Sequence, residues 1–173
     1  MPQVAAKIDQ AAVEAADSAL TAMNEPFYEA WRRGEFATFR DGLLDYCTPA
    51  MRATVVICRM LAQVYNGGWM QWATNGYAES GDLLIRALEQ VGTDAAKIVA
   101  AQAHKAMTSW EELKELKDAY RHDRLSFGEL ELAEESLWAW ADEAEEQMYG
   151  VGDFAPVGDQ LLLDLLAWVQ TRR

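Results

Sequence analysis

Apolar residues recur at three- and four-residue intervals along most of the chain, and no stretch alternates apolar and polar positions as a half-buried strand does. Helix is therefore the expected element throughout. An alanine-rich segment from Val4 to Met23 reads as a first helix stopping near Asn24-Glu25-Pro26. A short helical turn follows over 27–33, closed by Gly34, and another over 36–46. Thr48-Pro49 is a cap with proline at the first helical position. It opens a helix to about Val64 in which Val55, Ile57, Met60 and Leu61 suit burial. Tyr65-Asn66-Gly67-Gly68 ends that helix, because glycines admit left-handed backbone, and Trp69-Met70-Gln71-Trp72 resumes it briefly before Asn75-Gly76.

Leu84, Ile85, Leu88 and Val91 stripe the next helix, which starts at Ser80 or Gly81 and ends at Gly92. Thr93 caps another over 95–107, and Thr108-Ser109 cap a further one carrying Trp110, Leu113, Leu116 and Tyr120. Ser126 and Glu129 match a capping box and open a long helix to about Tyr149. Three glycines and a proline make 150–158 a loop, after which Asp159 caps a last helix from Leu161 to Gln170. The pattern predicts an all-α protein, a single compact multi-helix domain over 1–173 with about eight to ten helices.

Composition narrows the function. The 173 residues are 51% hydrophobic, long enough to bury a core and too apolar to stay disordered. No apolar run reaches the roughly eighteen residues of a membrane helix, and no signal-peptide pattern opens the chain, so the expectation is a cytoplasmic protein that avoids membranes. Twenty-eight acidic residues against fifteen basic ones give a net charge of −13. That balance disfavours direct nucleic-acid binding and anionic membranes, and it favours a basic protein partner. The charge is also segregated, since residues 125–171 hold eleven acids and no Lys or Arg.

Placed on one straight helix, Leu130, Ala133, Leu137, Trp140, Ala141, Ala144 and Met148 form a core face. The opposite arc carries Glu131, Glu134, Glu135, Asp142, Glu145 and Glu146, with Trp138 in its middle and Tyr149 at its end. Those carboxylates would span about 22 Å, roughly one charge per 4 Å, close to the ~3.4 Å phosphate spacing along one strand of B-DNA. Like charges three and four residues apart oppose the helix by about 1–2 kcal/mol in total, a cost that suggests a gain elsewhere, of which binding is one candidate. These residues and Trp138 are the candidate partner-binding set. An acidic face is also commonly just solvated, and Trp138 is either an interface anchor or a residue packed beneath a neighbouring helix.

Other chemistry is thin. His104 and His122 lack metal-ligand spacing, Cys47 and Cys58 have no adjacent base and read as structural thiols, and no nucleophile elbow or phosphate loop occurs. No catalytic residue, metal or cofactor is expected.

The segment Asn66-Gly67-Gly68-Trp69-Met70-Gln71-Trp72, with Asn75-Gly76 after it, resembles the N-G-G-aromatic-x-Q-aromatic…N signature of the small acidic, all-helical bacterial DNA-mimic family of the neisserial type. Ala87-Leu88-Glu89-Gln90-Val91-Gly92-Thr93-Asp94-Ala95-Ala96 resembles that family's A-L-x-x-I-G-A-x-x-A stretch, with Thr93 where alanine is common. The likeness covers about residues 50–105 and extends loosely to Glu145-Glu146-Gln147-Met148-Tyr149. It implies a homodimeric, non-catalytic inhibitor whose negative surface occupies the DNA-binding face of a basic protein such as a helix-turn-helix transcriptional regulator. The signature itself reads as fold-making: glycines to turn the chain, Trp69 and Trp72 for the core, Asn66 and Gln71 to tie the loop by hydrogen bonds, with Asn75 completing the motif. The alternative reading is an immunity or antitoxin protein neutralising a basic toxin such as a nuclease.

Overall fold

The first helix shows how burial overrides a local break signal. In a computed structural model that describes residues 8–151 and 156–172, helix α1 runs over Gln10–Arg32, straight through Pro26. Asp9 caps it by accepting from the Ala11 N–H. A proline inside a helix costs about 3 kcal/mol. Here the buried stripe of Val13, Ala16, Leu20 and Asn24 continues beyond it as Phe27 and Ala30. Phe27 is fully buried against Phe36 and Phe39, and that packing offsets the lost hydrogen bond. The expected stop near Pro26 is thus replaced by one longer helix, and the stretch expected to start it at Val4 lies largely outside the described residues.

The region expected as one helix over 36–46 is a three-residue helix α2 (Phe39–Asp41) followed by a π turn over Gly42–Tyr46. Helix α3 spans Pro49–Thr74, capped by Thr48, and it is interrupted at Gly67 and Gly68 where the sequence places a turn. A 3-10 turn over Tyr77–Ser80 leads into α4 (Gly81–Val91), closed by Gly92. Thr93 caps α5, which runs unbroken over Asp94–Arg121. The cap expected at Thr108-Ser109 does not form, because Thr108 bonds back to the His104 carbonyl and Ser109 reaches across to the next helix pair. Helices α6 (Phe127–Trp138), α7 (Ala141–Tyr149) and α8 (Val157–Gln170) complete the chain. Helix α8 starts at Val157 with Pro156 at its cap position, three residues before the expected cap Asp159.

The described residues hold seven helices of nine residues or more and no strand, close to the expected eight to ten; the merging at Pro26 and at Thr108 lowers the number. Helix α3 is the central element, in contact with α1, α4, α5, α7 and α8. Its Ile57, Met60, Val64, Trp69 and Trp72 join Leu20, Leu84, Leu88, Met148 and Leu161 in one continuous apolar cluster. The C-terminal half of α5 extends past this cluster and carries α6 antiparallel on it, so α6 packs mainly on α5. No described helix is long and apolar enough to cross a membrane.

Candidate functional site

The acidic segment begins with the capping box read from sequence. Ser126 Oγ accepts from the Glu129 N–H, and the Glu129 carboxylate accepts from the Ser126 N–H and hydroxyl. Those bonds hold the Glu129 carboxyl below its ordinary value. Leu130 turns inward against α5, while Glu131, Leu132 and Glu135 are exposed, Leu132 at 69%. Glu134 sits on the flank, half-buried, 3.8 Å from Lys117 Nζ of α5.

The single helix expected from Glu129 to Tyr149 is in fact two. It bends at Ala139 and Trp140, and Trp138 is buried, with 5% of its surface exposed. The cause lies in the sequence. Residues two apart on a straight helix point about 200° from each other, so Trp138 and Trp140 cannot both turn inward without a bend. Bent, the two indoles stack at 6.1 Å. Ser109 of α5 stabilises the bend by donating to the Leu137 carbonyl at 3.0 Å and accepting from Trp140 Nε1 at 3.3 Å. Of the two readings of Trp138, packing beneath neighbours is the one observed, and it cannot anchor a partner while so covered.

Beyond the bend, Asp142, Glu143 and Glu146 are exposed on α7, whereas Glu145 faces the break in α3. That break is a true interruption. Gly68 has φ +75° and ψ −176°, a combination essentially limited to glycine, and a Cβ there would lie 1.8 Å from Glu145 Oε1. The Trp69 N–H, freed from the helical ladder by the break, hydrogen-bonds to Glu145. Burial raises the Glu145 carboxyl above its ordinary value, the Trp69 bond opposes the rise, and nearby Asp142 adds to it. On the other side, Tyr149 Oη donates to the carbonyls of Val64 (3.3 Å) and Tyr65 (2.8 Å). The Tyr65 ring lies 5.2 Å from that of Tyr149, and its hydroxyl donates to Asp159 at 3.4 Å.

The signature residues converge on this break. Trp69 Nε1 donates to Gln102 Oε1 at 3.2 Å, and Gln102 Nε2 donates to Gln147 Oε1 at 3.1 Å. Gln63 Oε1 accepts from Asn75 Nδ2 at 2.7 Å and Gln71 Nε2 at 3.4 Å. Trp72 stands edge-on to Trp69 in the core. Asn66 is the exception: it is exposed and makes no side-chain hydrogen bond among the described residues. Sequence reading missed Gln63, Gln102 and Gln147 as members of this network. The signal was present, since Gln63 and Gln102 stand on core stripes, and a buried amide requires partners.

Little else in the described residues is arranged for chemistry. No group of three or more His, Cys, Asp or Glu side chains there could hold a metal ion. Burial pushes the Cys47 thiol up to about 11 and that of Cys58 to about 12, far from a reactive thiolate. His122 Nδ1 lies 2.8 Å from the Asp118 carbonyl at the exposed end of α5.

A family model described as DMP19-like protein matches residues 45–171, a stretch that begins in the π turn and takes in the α3 break, the α6–α7 bend and the whole of α8. No curated protein and no solved structure matches the chain.

Proposed function

Because this chain belongs to the DMP19-like family, we propose that it is a non-catalytic DNA mimic that occupies the DNA-binding surface of a basic protein, such as a helix-turn-helix transcriptional regulator. One observation carries the reading. Glu131, Glu135, Asp142, Glu143 and Glu146 are exposed on α6 and α7 and form no ion pair among the described residues, where Lys117–Glu134 is the one ion pair of an α6 or α7 carboxylate. The eleven acids and absent Lys and Arg of 125–171 leave that surface unneutralised.

The binding set differs from a straight line of carboxylates. Glu131, Glu135, Asp142 and Glu146 are its accessible members. Glu134 contributes partly, being shared with Lys117, and Glu145 is engaged at the α3 break. Trp138 supports the bend between the two acidic runs. A basic groove would meet two short clusters of charge set at an angle. Attraction of this kind speeds encounter and weakens as salt rises, because exposed charges are screened within about 8–10 Å at ordinary ionic strength.

The test is a pull-down with the purified chain at low and at moderate salt, followed by a DNA-binding assay on each captured protein. The expected result is a DNA-binding protein that releases at higher salt and loses its DNA when bound. Capture of none, or of one that still binds DNA fully, removes the proposal. Capture of a basic nuclease whose cleavage stops identifies the immunity reading instead.

A further inference from the structure

A cavity far in sequence from the acidic helices has the opposite chemistry. Glu25, Tyr28, Trp31 and Arg32 of α1, Phe39 of α2, Arg59 of α3 and Tyr77 of the 3-10 turn line a cleft of about 390 Å³. That is within the range of small-molecule sites, roughly 300–1,000 Å³. Its walls are mutually braced aromatics: Phe39 stands edge-on to Trp31 at 5.7 Å and to Tyr77 at 5.2 Å. Fully buried Phe27 supports them from behind.

The polar groups of the cleft are mostly donors with capacity left. Arg59 is half-buried and donates to Tyr77 Oη from Nε at 2.6 Å and also from Nη2, while its guanidinium lies 4.8 Å from the Tyr77 ring centre. It meets no carboxylate among the described residues, so three of its five N–H groups remain unused. Tyr77 Oη accepts twice there and keeps its own proton to donate. Tyr28 is a neutral phenol, and burial raises it further from the ordinary value, to about 12. The one acid in the cleft, Glu25, is already paired with Arg32.

We propose that this cleft binds a planar aromatic monocarboxylate, its ring held among Trp31, Phe39 and Tyr77 and its carboxylate on Arg59. A guanidinium fork matches a carboxylate in bidentate geometry, and it recovers the pairing that Arg59 lacks in the free chain. The net charge of −13 selects further: the protein's field opposes a dianion more strongly than a monoanion, so phosphate esters bind less well. This site is independent of the acidic face, and its failure leaves the DNA-mimic reading untouched.

The test titrates isotopically labelled full-length chain with indole-3-acetate, 2-naphthoate and, as the uncharged control, 2-naphthalenemethanol. Expected is a saturable shift of the Trp31 indole N–H and the Arg59 Nε–H, with the two acids binding at least about tenfold tighter than the alcohol, a gap of about 1.4 kcal/mol. Arg59→Gln erases that preference while the alcohol still binds, and Trp31→Ala weakens all three. Acids that leave those resonances unmoved at millimolar concentration, or that bind no better than the alcohol, overturn the proposal. The acid-to-alcohol ratio in the unmodified chain decides the matter even if either variant fails to fold.

Discussion

The break in α3 and the bend between α6 and α7 are both interruptions of a helix, yet they are built by opposite means. At Gly67-Gly68 the backbone itself leaves helical space, the freed groups are met by Glu145 and Tyr149, and the Gln63 and Gln102 amides tie the flanking side chains together. At Ala139-Trp140 the dihedral angles stay helical, and side chains alone produce the bend through the Trp138–Trp140 stack and Ser109. The first interruption is a fixed part of the core, and the second sits where a thin helical arm meets it. The family signature therefore describes a scaffold, while the charges proposed to bind a partner lie on both sides of the second interruption, Glu131 and Glu135 on α6, which packs mainly on α5, and Asp142 and Glu146 on α7, which packs on α3 and α8.

The sharpest way to break this contrast is at Gly68. An alanine there must adopt an ε-region backbone and displaces Glu145, so Gly68→Ala is expected to cost about 3–4 kcal/mol in urea unfolding from strain and a lost cap. A cost below about 1 kcal/mol would mean the break is soft. Charge reversal on the outer faces of α6 and α7 should do the reverse. Glu131, Glu135, Asp142 and Glu146 changed together to lysine should lower partner affinity about a hundredfold or more, measured by calorimetry, with helical content retained and a weaker salt dependence. Retained affinity in a folded variant assigns binding to another surface. Tyr149→Phe leaves the Val64 and Tyr65 carbonyls without their donor and should cost about 1–2 kcal/mol, read from the shift in denaturation midpoint.

The smallest effect is a pH slope. Burial raises the folded Glu145 carboxyl above its ordinary value of 4.5, so the native chain keeps this proton to a higher pH than the unfolded chain. Stability contributed at this position is thus greatest at low pH, declines as pH rises from about 4.5 through the folded value, and is level above it. Glu145→Gln retains an acceptor for the Trp69 N–H and removes that decline. Unfolding midpoints from about pH 4 to about pH 7 should move in favour of the variant as pH rises, and a constant difference would show that the carboxylate is not disfavoured by its surroundings.

Most of the fold was legible because its stop signals are local. Thr48-Pro49, Gly67-Gly68, Gly92-Thr93 and the Ser126/Glu129 box all act within one helical turn, and each lies where the sequence places it. The errors occur where tertiary contacts decide. Pro26 is overruled by the burial of Phe27, and Ser109 spends its hydroxyl on another helix. Of the candidate site, the exposure of Glu131, Glu135, Asp142 and Glu146 was legible from period alone, and that of Glu143 was not. The burial of Trp138 was not, because it depends on α6 and α7 failing to be one straight cylinder. Glu145 shows the same limit: its spacing matches the outer acids, but the glycine it faces is 77 residues earlier in the chain.

The bend at Ala139 and Trp140 contains neither proline nor glycine, and both residues keep α-region dihedrals. A continuous rod is thus a close neighbour of the observed form, separated from it by side-chain contacts and no forbidden geometry. The distance between the two carboxylate groups is consequently an adjustable gauge: trimming Ser109 or an indole resets the pitch of the negative charges without altering one of them.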